Sequence, residues 1–220
     1  MATYILTSMF PNGFNQEVAE QLQKAIAKRG NFAFVASEFN KLHEKTDKYF
    51  TLFLNMFAEI NIIFENAYVV DGRMEKEEAQ KAVSKADVVW LSGGDTPVQY
   101  GYLQEYGLDT ILKEHQGVII GMSAGSINMA ELAICTLSCG HAKQQIYRGI
   151  GCVDISVEPH FIPEKVSEEV LELSQKYVIY GLGDDAIIVV KEKEITFCGD
   201  VYKLWNGKLQ KTLDIAKKCC

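Results

Sequence analysis

The chain has 220 residues, of which 48% are hydrophobic and 23% are charged, a balance typical of soluble globular proteins. Its net charge of −7 argues against a general attraction to nucleic acid or anionic membranes, because phosphate binding needs positive charge. No uncharged apolar run approaches the ~18 residues of a membrane span. We therefore expect one cytoplasmic domain over residues 1–220, with neither nucleic acid nor a membrane as partner.

The N-terminal residues and the cysteines also favour the cytoplasm. Residues 1–7 have no basic segment and no long apolar segment, so they are predicted to be a first strand rather than a signal peptide. The six cysteines include no C-x-x-C pair and no histidine at zinc spacing, which favours reduced thiols and no metal site. The vicinal pair Cys219-Cys220 is interpreted as an exposed tail without function.

Short apolar runs alternate with helical patterns over the first 132 residues. Strands are predicted at 3–8 and 32–36, within 61–70, and at 87–91 and 118–120. Helices are predicted at about 15–29, 47–59, 74–85 and 97–115, and from Ser123 to about 132. The aromatic stripe of the helix at 47–59 is interpreted as core packing rather than as a ligand-stacking surface.

The last third of the chain has a different pattern. Strands at 155–157 and 178–182 flank a helix at about 163–176, and a meander follows at 186–191, 194–198, 201–205 and near 208–213. We predict an α/β fold: a mainly parallel central sheet sandwiched by helices, with antiparallel strands at its C-terminal edge.

The most informative segment is Gly121-Met122-Ser123-Ala124-Gly125, which follows a buried strand and precedes a helical pattern. A G-x-S-x-G turn in this context holds a serine nucleophile, because the small residues let strand and helix approach closely. The backbone N–H of Ala124 would then point at a developing oxyanion. We therefore predict Ser123 as a nucleophile, against the alternative of a glycine-bracketed turn with a capping serine.

A second loop and one histidine are predicted to join this site. Gly93-Gly94 ends another buried strand, so Gly94 can supply a second oxyanion amide, and Gly93 and Asp95 are expected to bind substrate. Of the four histidines, His43 and His115 lie in polar stretches and are expected to be solvated, and His141 is a weaker candidate. His160 follows a strand-like segment and is the predicted general base.

Together, these residues resemble the peptidase E and cyanophycinase family of serine peptidases, whose fold is similar to that of class I glutamine amidotransferases and flavodoxin-like proteins. The resemblance rests on 121–125, on Ser92-Gly93-Gly94-Asp95-Thr96, on Pro159-His160-Phe161 and on Gly181-Leu182-Gly183-Asp184. It implies that Ser123 is the nucleophile, that His160 is the base, and that Gly94 and Ala124 supply the oxyanion amides. It implies no cofactor.

The chain departs from the resemblance at two places. The loop at 136–140 has no acid where peptidase E carries the aspartate that orients its histidine, which leaves four candidates: Glu131, Asp154, Glu158 and Asp184, where relatives carry a glutamate. The segment after the histidine, at 163–169, is mostly acidic and has Lys165 as its single positive residue. A preference for an N-terminal aspartate therefore does not follow.

Three functional hypotheses result. The first is a serine hydrolase of small peptides or peptide-like amides, for which a homodimer is the oligomeric state considered. The second is a catalytically silent relative that binds a small acyl or amino-acid ligand in the same cleft. The third is an esterase of the broader α/β-hydrolase type, which ranks last because that fold places its histidine near the C-terminus and no histidine follows His160.

Overall fold

A computed structural model describes residues 2–192 and 194–212, so Cys219-Cys220 and the end of the predicted last strand lie outside the described residues. The strands are β1 (Thr3–Thr7), β2 (Asn31–Val35), β3 (Asn66–Val70), β4 (Val88–Leu91), β5 (Val118–Met122), β6 (Leu132–Cys135), β7 (Gln145–Arg148), β8 (Ser156–Pro159), β9 (Ile179–Leu182), β10 (Ile187–Lys191), β11 (Glu194–Cys198), β12 (Val201–Trp205) and β13 (Lys208–Lys211). The helices are α1 (Gln16–Ala25), α2 (His43–Glu59), α3 (Lys76–Ser84), α4 (Thr96–Glu105), α5 (Leu108–Glu114), α6 (Ala124–Met129) and α7 (Glu168–Ser174).

Seven of these strands form the central sheet, in the order β11-β10-β1-β5-β4-β2-β3. The five strands from β1 to β3 in that order run parallel, and the three in the middle, β5, β4 and β2, are nearly continuous apolar runs because helices cover both faces. β10 and β11 add an antiparallel edge beside β1. The predicted fold class, a mainly parallel sheet with an antiparallel C-terminal edge, is confirmed.

Helices pack on both faces of this sheet. One face packs against α3, α4, α5 and α6, and the other against α1 and α2. The aromatic stripe of α2 belongs to the second core: the ring centroids of Phe53 and Phe57 lie 4.2 Å and 5.8 Å from that of the fully buried Trp90. Core packing is therefore the correct interpretation of that stripe, although Tyr49 at its N-terminal end borders a cavity described below.

The C-terminal strands divide between two sheets, which corrects the prediction of one continuous meander. β12 leaves β11 and pairs with β9, so that β13-β12-β9-β8 form a separate four-stranded sheet. Within it, β8 and β9 run parallel. Hairpin signals fix only local pairing, and the partner of β12 is chosen by tertiary packing.

Several predicted boundaries were wrong. The helix at 97–115 is two helices, because Gly107 adopts a left-handed conformation with φ 65° between them. The helix after Ser123 ends at Met129, and a two-stranded ribbon of β6 and β7 follows. The predicted helix at 163–176 is a 3-10 turn at Pro163–Lys165 followed by α7.

Two histidines expected to be solvated have defined environments. His115 is only 6% exposed, and burial lowers the pKa of its imidazole. His43 is half-buried, with Nδ1 3.1 Å from Asp71 Oδ2. Polar flanking sequence therefore misled the prediction at both positions.

The four cysteines in the described part of the chain, Cys135, Cys139, Cys152 and Cys198, are free thiols. Across residues 2–192 and 194–212, no helix combines the length and apolar character needed to cross a membrane.

Candidate active site

Ser123 occupies a sharp turn between β5 and α6. Its backbone angles are φ 50° and ψ −106°, a conformation that non-glycine residues rarely adopt. A Cβ on Gly121 would lie 2.6 Å from the backbone nitrogen of Ser126, and one on Gly125 would lie 2.3 Å from the Leu91 carbonyl oxygen. These contacts show why glycine brackets the serine, as the G-x-S-x-G pattern predicts.

His160 lies directly beyond β8 and faces Ser123. Its Nε2 is 3.1 Å from Ser123 Oγ, within hydrogen-bond distance. Its backbone is also strained, with φ 56°. His141, the weaker candidate, instead lies 3.5 Å from the carboxylate of Asp95. Of the four histidines, the one predicted as general base is thus the one whose ring contacts Ser123.

Asp184 completes a hydrogen-bonded chain of three side chains. It lies just beyond β9, and the parallel register that pairs Pro159 with Leu182 brings the ends of β8 and β9 together. Asp184 Oδ1 is 3.0 Å from His160 Nδ1. Of the four acids that the sequence left as candidates, Asp184 is the one whose carboxylate lies within hydrogen-bond distance of the His160 ring.

The other three acids have different surroundings. Glu131 is exposed and lies 3.4 Å from Arg148, and Asp154 is exposed in the loop before β8. Glu158 is buried, and it accepts hydrogen bonds from Ser138 Oγ at 2.6 Å and from Thr136 Oγ1 at 3.0 Å. Burial raises the pKa of Glu158, and these hydroxyl donors partly offset the rise.

The raised pKa of Glu158 predicts how stability depends on pH. The folded chain holds this proton more tightly than the unfolded chain, so the stabilisation is fully present below the unfolded pKa of about 4.3 and is lost as the pH rises through the folded pKa. We therefore expect the melting temperature of Glu158→Gln, minus that of the unaltered protein, to increase steadily as the pH is raised from about 4 to about 8.

Thermal unfolding at successive pH values measures this difference. Glu131→Gln is the control, because an exposed pair with Arg148 contributes little and its difference should stay small at every pH. A Glu158→Gln difference that is flat across the range would contradict the prediction.

The Gly93-Gly94 loop lies beside Ser123, as predicted. A Cβ on Gly93 would come 3.4 Å from the Cβ of Ser123, so this backbone passes against the serine. Asp95, predicted to bind substrate, caps α4 by accepting the Val98 N–H at 3.0 Å. Asp95 also borders the cavity described next, so it lies at the site as well as capping the helix.

A cavity of about 370 Å³ opens onto Ser123 and His160, a size that suits a small ligand. Its walls combine backbone of the Gly93-Gly94 loop with side chains of β2, α2 and the segments after β1 and β5. The lining residues include Ser8, Met9, Phe34, Ser37, Glu38, Leu42, Lys45, Thr46, Tyr49, Ser92, Gly93, Gly94, Asp95, Met122, Ser123 and His160.

The positive charge at this cavity comes from a residue that the sequence did not indicate. Lys45 of α2 lines it, with Nζ 5.9 Å from the ring centroid of Tyr49. Lys165, the single positive residue of its segment, is exposed and lies outside the lining. A lysine in an amphipathic helix gives no sequence signal of this placement, since solvated lysines are common there.

Comparison with known proteins assigns the chain to a family. The sequence model of peptidase family S51 matches residues 5–198, most of the chain. The chain belongs to peptidase family S51. The resemblance to the peptidase E and cyanophycinase family inferred from the sequence is thereby confirmed, and a peptidase is the class of protein that the family indicates. No curated protein sequence matches the chain.

Solved structures support the fold of this S51 member. One is a peptidase from an acI-B1 Actinobacterium, with a TM-score of 0.71 and 16% identity over 96% of this chain and 93% of that one. Another is a protein from Listeria monocytogenes EGD-e that carries the provisional name peptidase E, with a TM-score of 0.66 and 18% identity over 90% of this chain and 98% of that one. At these identities, the likeness concerns the fold alone.

Proposed function

We propose that this S51 member is a serine peptidase that hydrolyses small peptides or peptide-like amides, with Ser123 as nucleophile, His160 as general base and Asp184 as the acid that orients it. The observation that carries the proposal is the continuous chain of contacts from Ser123 Oγ to His160 Nε2, at 3.1 Å, and from His160 Nδ1 to Asp184 Oδ1, at 3.0 Å. This is the arrangement that nucleophilic catalysis by serine needs.

In the proposed reaction, Ser123 Oγ attacks the substrate carbonyl carbon while His160 Nε2 takes the hydroxyl proton. Asp184 stabilises the imidazolium that forms. His160 then gives the proton to the leaving amine as the carbon–nitrogen bond breaks, which leaves an acyl group on Ser123. Water, activated by the same histidine, hydrolyses that ester and restores the serine.

Backbone amides of Gly94 and Ala124 are the proposed oxyanion donors. Ala124 opens α6, and the first N–H groups of a helix have no carbonyl partner within it. The Gly93-Gly94 backbone approaches Ser123 from the neighbouring strand β4. Two amides converging from different elements would stabilise charge on the substrate oxygen as it develops.

The tight packing of Gly94 provides a test of this assignment. A Cβ on Gly94 would lie 2.1 Å from Ser37 Oγ and 2.6 Å from Ser37 Cβ, so Gly94→Ala must displace the loop. We expect kcat to fall by about 10²- to 10³-fold, the cost of losing one oxyanion donor. Peptide hydrolysis by Gly94→Ala and by Gly94→Ala/Ser37→Gly measures it. Because φ at Gly94 is 155°, a conformation that residues with a Cβ rarely adopt, removing the Ser37 side chain should recover only part of the loss.

Gly101→Ala is the matched control, since a Cβ at that position on α4 meets no atom within 4 Å. It should keep the kcat of the unaltered protein. Unchanged kcat in Gly94→Ala would count against an oxyanion role for this loop.

The two alternative hypotheses lose support. The silent-binder hypothesis was motivated by the missing acid in the loop at 136–140, and Asp184 lies at the histidine instead. The α/β-hydrolase esterase is disfavoured by membership of peptidase family S51. The cavity volume of about 370 Å³ agrees with a small peptide or amide as substrate.

A fluorophosphonate probe tests the proposal directly, because it phosphonylates a serine activated by a base. We expect labelling at Ser123, located by peptide mass spectrometry, and none in Ser123→Ala or His160→Ala. No labelling of Ser123 at any pH near neutrality would favour the silent-binder hypothesis.

A further inference from the structure

Ser8 is a fully buried side chain that contacts two members of the proposed triad. It follows β1 directly and has 0% exposure. Its Oγ lies 2.7 Å from Asp184 Oδ1, 2.8 Å from the backbone nitrogen of His160 and 3.2 Å from His160 Nδ1. One hydroxyl therefore lies within hydrogen-bond distance of the acid and of both the ring and the backbone of the base.

The protons of this cluster can be assigned from the chemistry of its groups. A hydroxyl has one proton to donate and two lone pairs that accept. The ionised Asp184 accepts only, so the Ser8 proton goes to Asp184 Oδ1, and Ser8 Oγ accepts the backbone N–H of His160. Both atoms that face His160 Nδ1, Asp184 Oδ1 and Ser8 Oγ, then present lone pairs to it.

This assignment determines which ring nitrogen of the neutral imidazole carries the proton. An unprotonated Nδ1 would set its own lone pair against two acceptors, whereas Nδ1–H donates to both. With the proton on Nδ1, the Nε2 lone pair faces Ser123 Oγ, as a general base requires.

The same hydroxyl also holds the backbone of His160. That residue has φ 56°, a strained conformation that persists only where its surroundings fix it. The residues on either side of Ser8 hold adjacent parts of the site: the Thr7 carbonyl accepts the Ser123 N–H at 2.9 Å, and the Met9 carbonyl accepts the Asp185 N–H at 2.8 Å. Three consecutive residues thus fix the loops that carry serine, histidine and aspartate.

We propose that Ser8 is a positioning residue. It keeps the side chains of Asp184 and His160 within hydrogen-bond distance of each other and fixes His160 as the Nδ1–H tautomer. Its effect on rate rests on the proposed peptidase function, whereas its effect on the tautomer does not. Ser8 borders the cavity, yet it is 0% exposed and its hydroxyl contacts Asp184 and His160, so its removal should slow the chemical step far more than it weakens substrate binding.

Ser8→Ala is the test, with Ser174→Ala as matched control. Ser174 is also 0% exposed, and its hydroxyl makes one donor bond, to Leu171 O, and one acceptor bond, from Gly207 N, in α7. We expect Ser8→Ala to lower kcat by about 10- to 100-fold through loss of orientation, with KM changed less than about threefold. Ser174→Ala should lower the melting temperature alone.

Imidazole ¹⁵N shifts provide a readout that does not depend on activity, with the His160 signal assigned by its loss in His160→Gln. The unaltered protein should show Nδ1–H, and Ser8→Ala a mixture of the two tautomers. An Nε2–H tautomer in the unaltered protein, or kcat and tautomer in Ser8→Ala matching those of Ser174→Ala, would overturn the proposal.

If the unaltered protein hydrolyses no peptide, the peptidase proposal fails, while the ¹⁵N comparison still decides the role of Ser8. If Ser8→Ala does not fold, Ser8→Cys takes its place, because a thiol is a weaker donor and acceptor than a hydroxyl. A kcat and a tautomer equal to those of the unaltered protein would then overturn the proposal.

Discussion

Replacing Ser123 by alanine is expected to lower kcat for peptide hydrolysis by about 10⁴- to 10⁶-fold, because the acyl group then has no atom on which to form. His160→Ala should cost a similar factor, since the serine hydroxyl loses the acceptor that lies 3.1 Å away. The double variant Ser123→Ala/His160→Ala should be no slower than either single one, because residues that act as a unit are strongly non-additive. Mass-spectrometric assay of a panel of di- and tripeptides measures all three.

The melting temperatures of these variants serve as the folding control. Ser123 has strained backbone angles, but alanine carries the same Cβ as serine, so the strain is equal in both proteins. Ser123→Ala should therefore keep the melting temperature within a few degrees of the original. A Ser123→Ala protein that folds and hydrolyses peptides within tenfold of the unaltered rate would exclude Ser123 as the nucleophile.

Asp184→Asn is expected to lower kcat by about 10⁴-fold, at the lower end of the range for Ser123→Ala and His160→Ala. An asparagine that offers its amide group to His160 would favour the tautomer with the proton on Nε2, which can no longer accept from Ser123. The substitution keeps the size of the side chain, so the loss should appear in kcat with the fold intact. Steady-state kinetics together with circular dichroism check both parts.

Glu158→Gln is the discriminating control for this prediction. Glu158 lies two residues before His160 and was one of the four candidates from sequence, yet its hydrogen bonds go to Thr136 and Ser138. We expect its kcat to stay within about threefold of the original. A large loss in Glu158→Gln with normal rates in Asp184→Asn would reverse the assignment of the acid.

Sequence patterns were most informative where local physics decides the structure. The apolar runs of β4 and β5 and the glycines at 121 and 125 identify a buried strand and a tight turn without any knowledge of distant contacts. The pattern was less informative in α6, where every residue is buried, so no polar face marks the end of the helix at Met129.

The remaining parts of the site depend on which distant strands become neighbours. Asp184 reaches His160 because β8 and β9 pair in parallel, and no residue pattern within either strand predicts that pairing. Ser8 is a single serine after an ordinary strand, and it gains significance only because β1 pairs with β10, the strand that follows Asp184. Lys45 is likewise brought to the cavity by the packing of α2 against β2 and β4.

The division of the strands between two sheets has a mechanical consequence. Ser123 stands at the end of a central strand of the seven-stranded sheet, whereas His160 and Asp184 stand at the ends of adjacent strands in the four-stranded sheet. The base and the acid are therefore carried by one sheet and the nucleophile by the other, so the contact from Ser123 Oγ to His160 Nε2 spans the two sheets. Leu6 and Ile188 of the larger sheet and Val157, Leu182 and Val201 of the smaller one belong to the same hydrophobic core, so the two halves of the site are joined by buried packing as well as by hydrogen bonds.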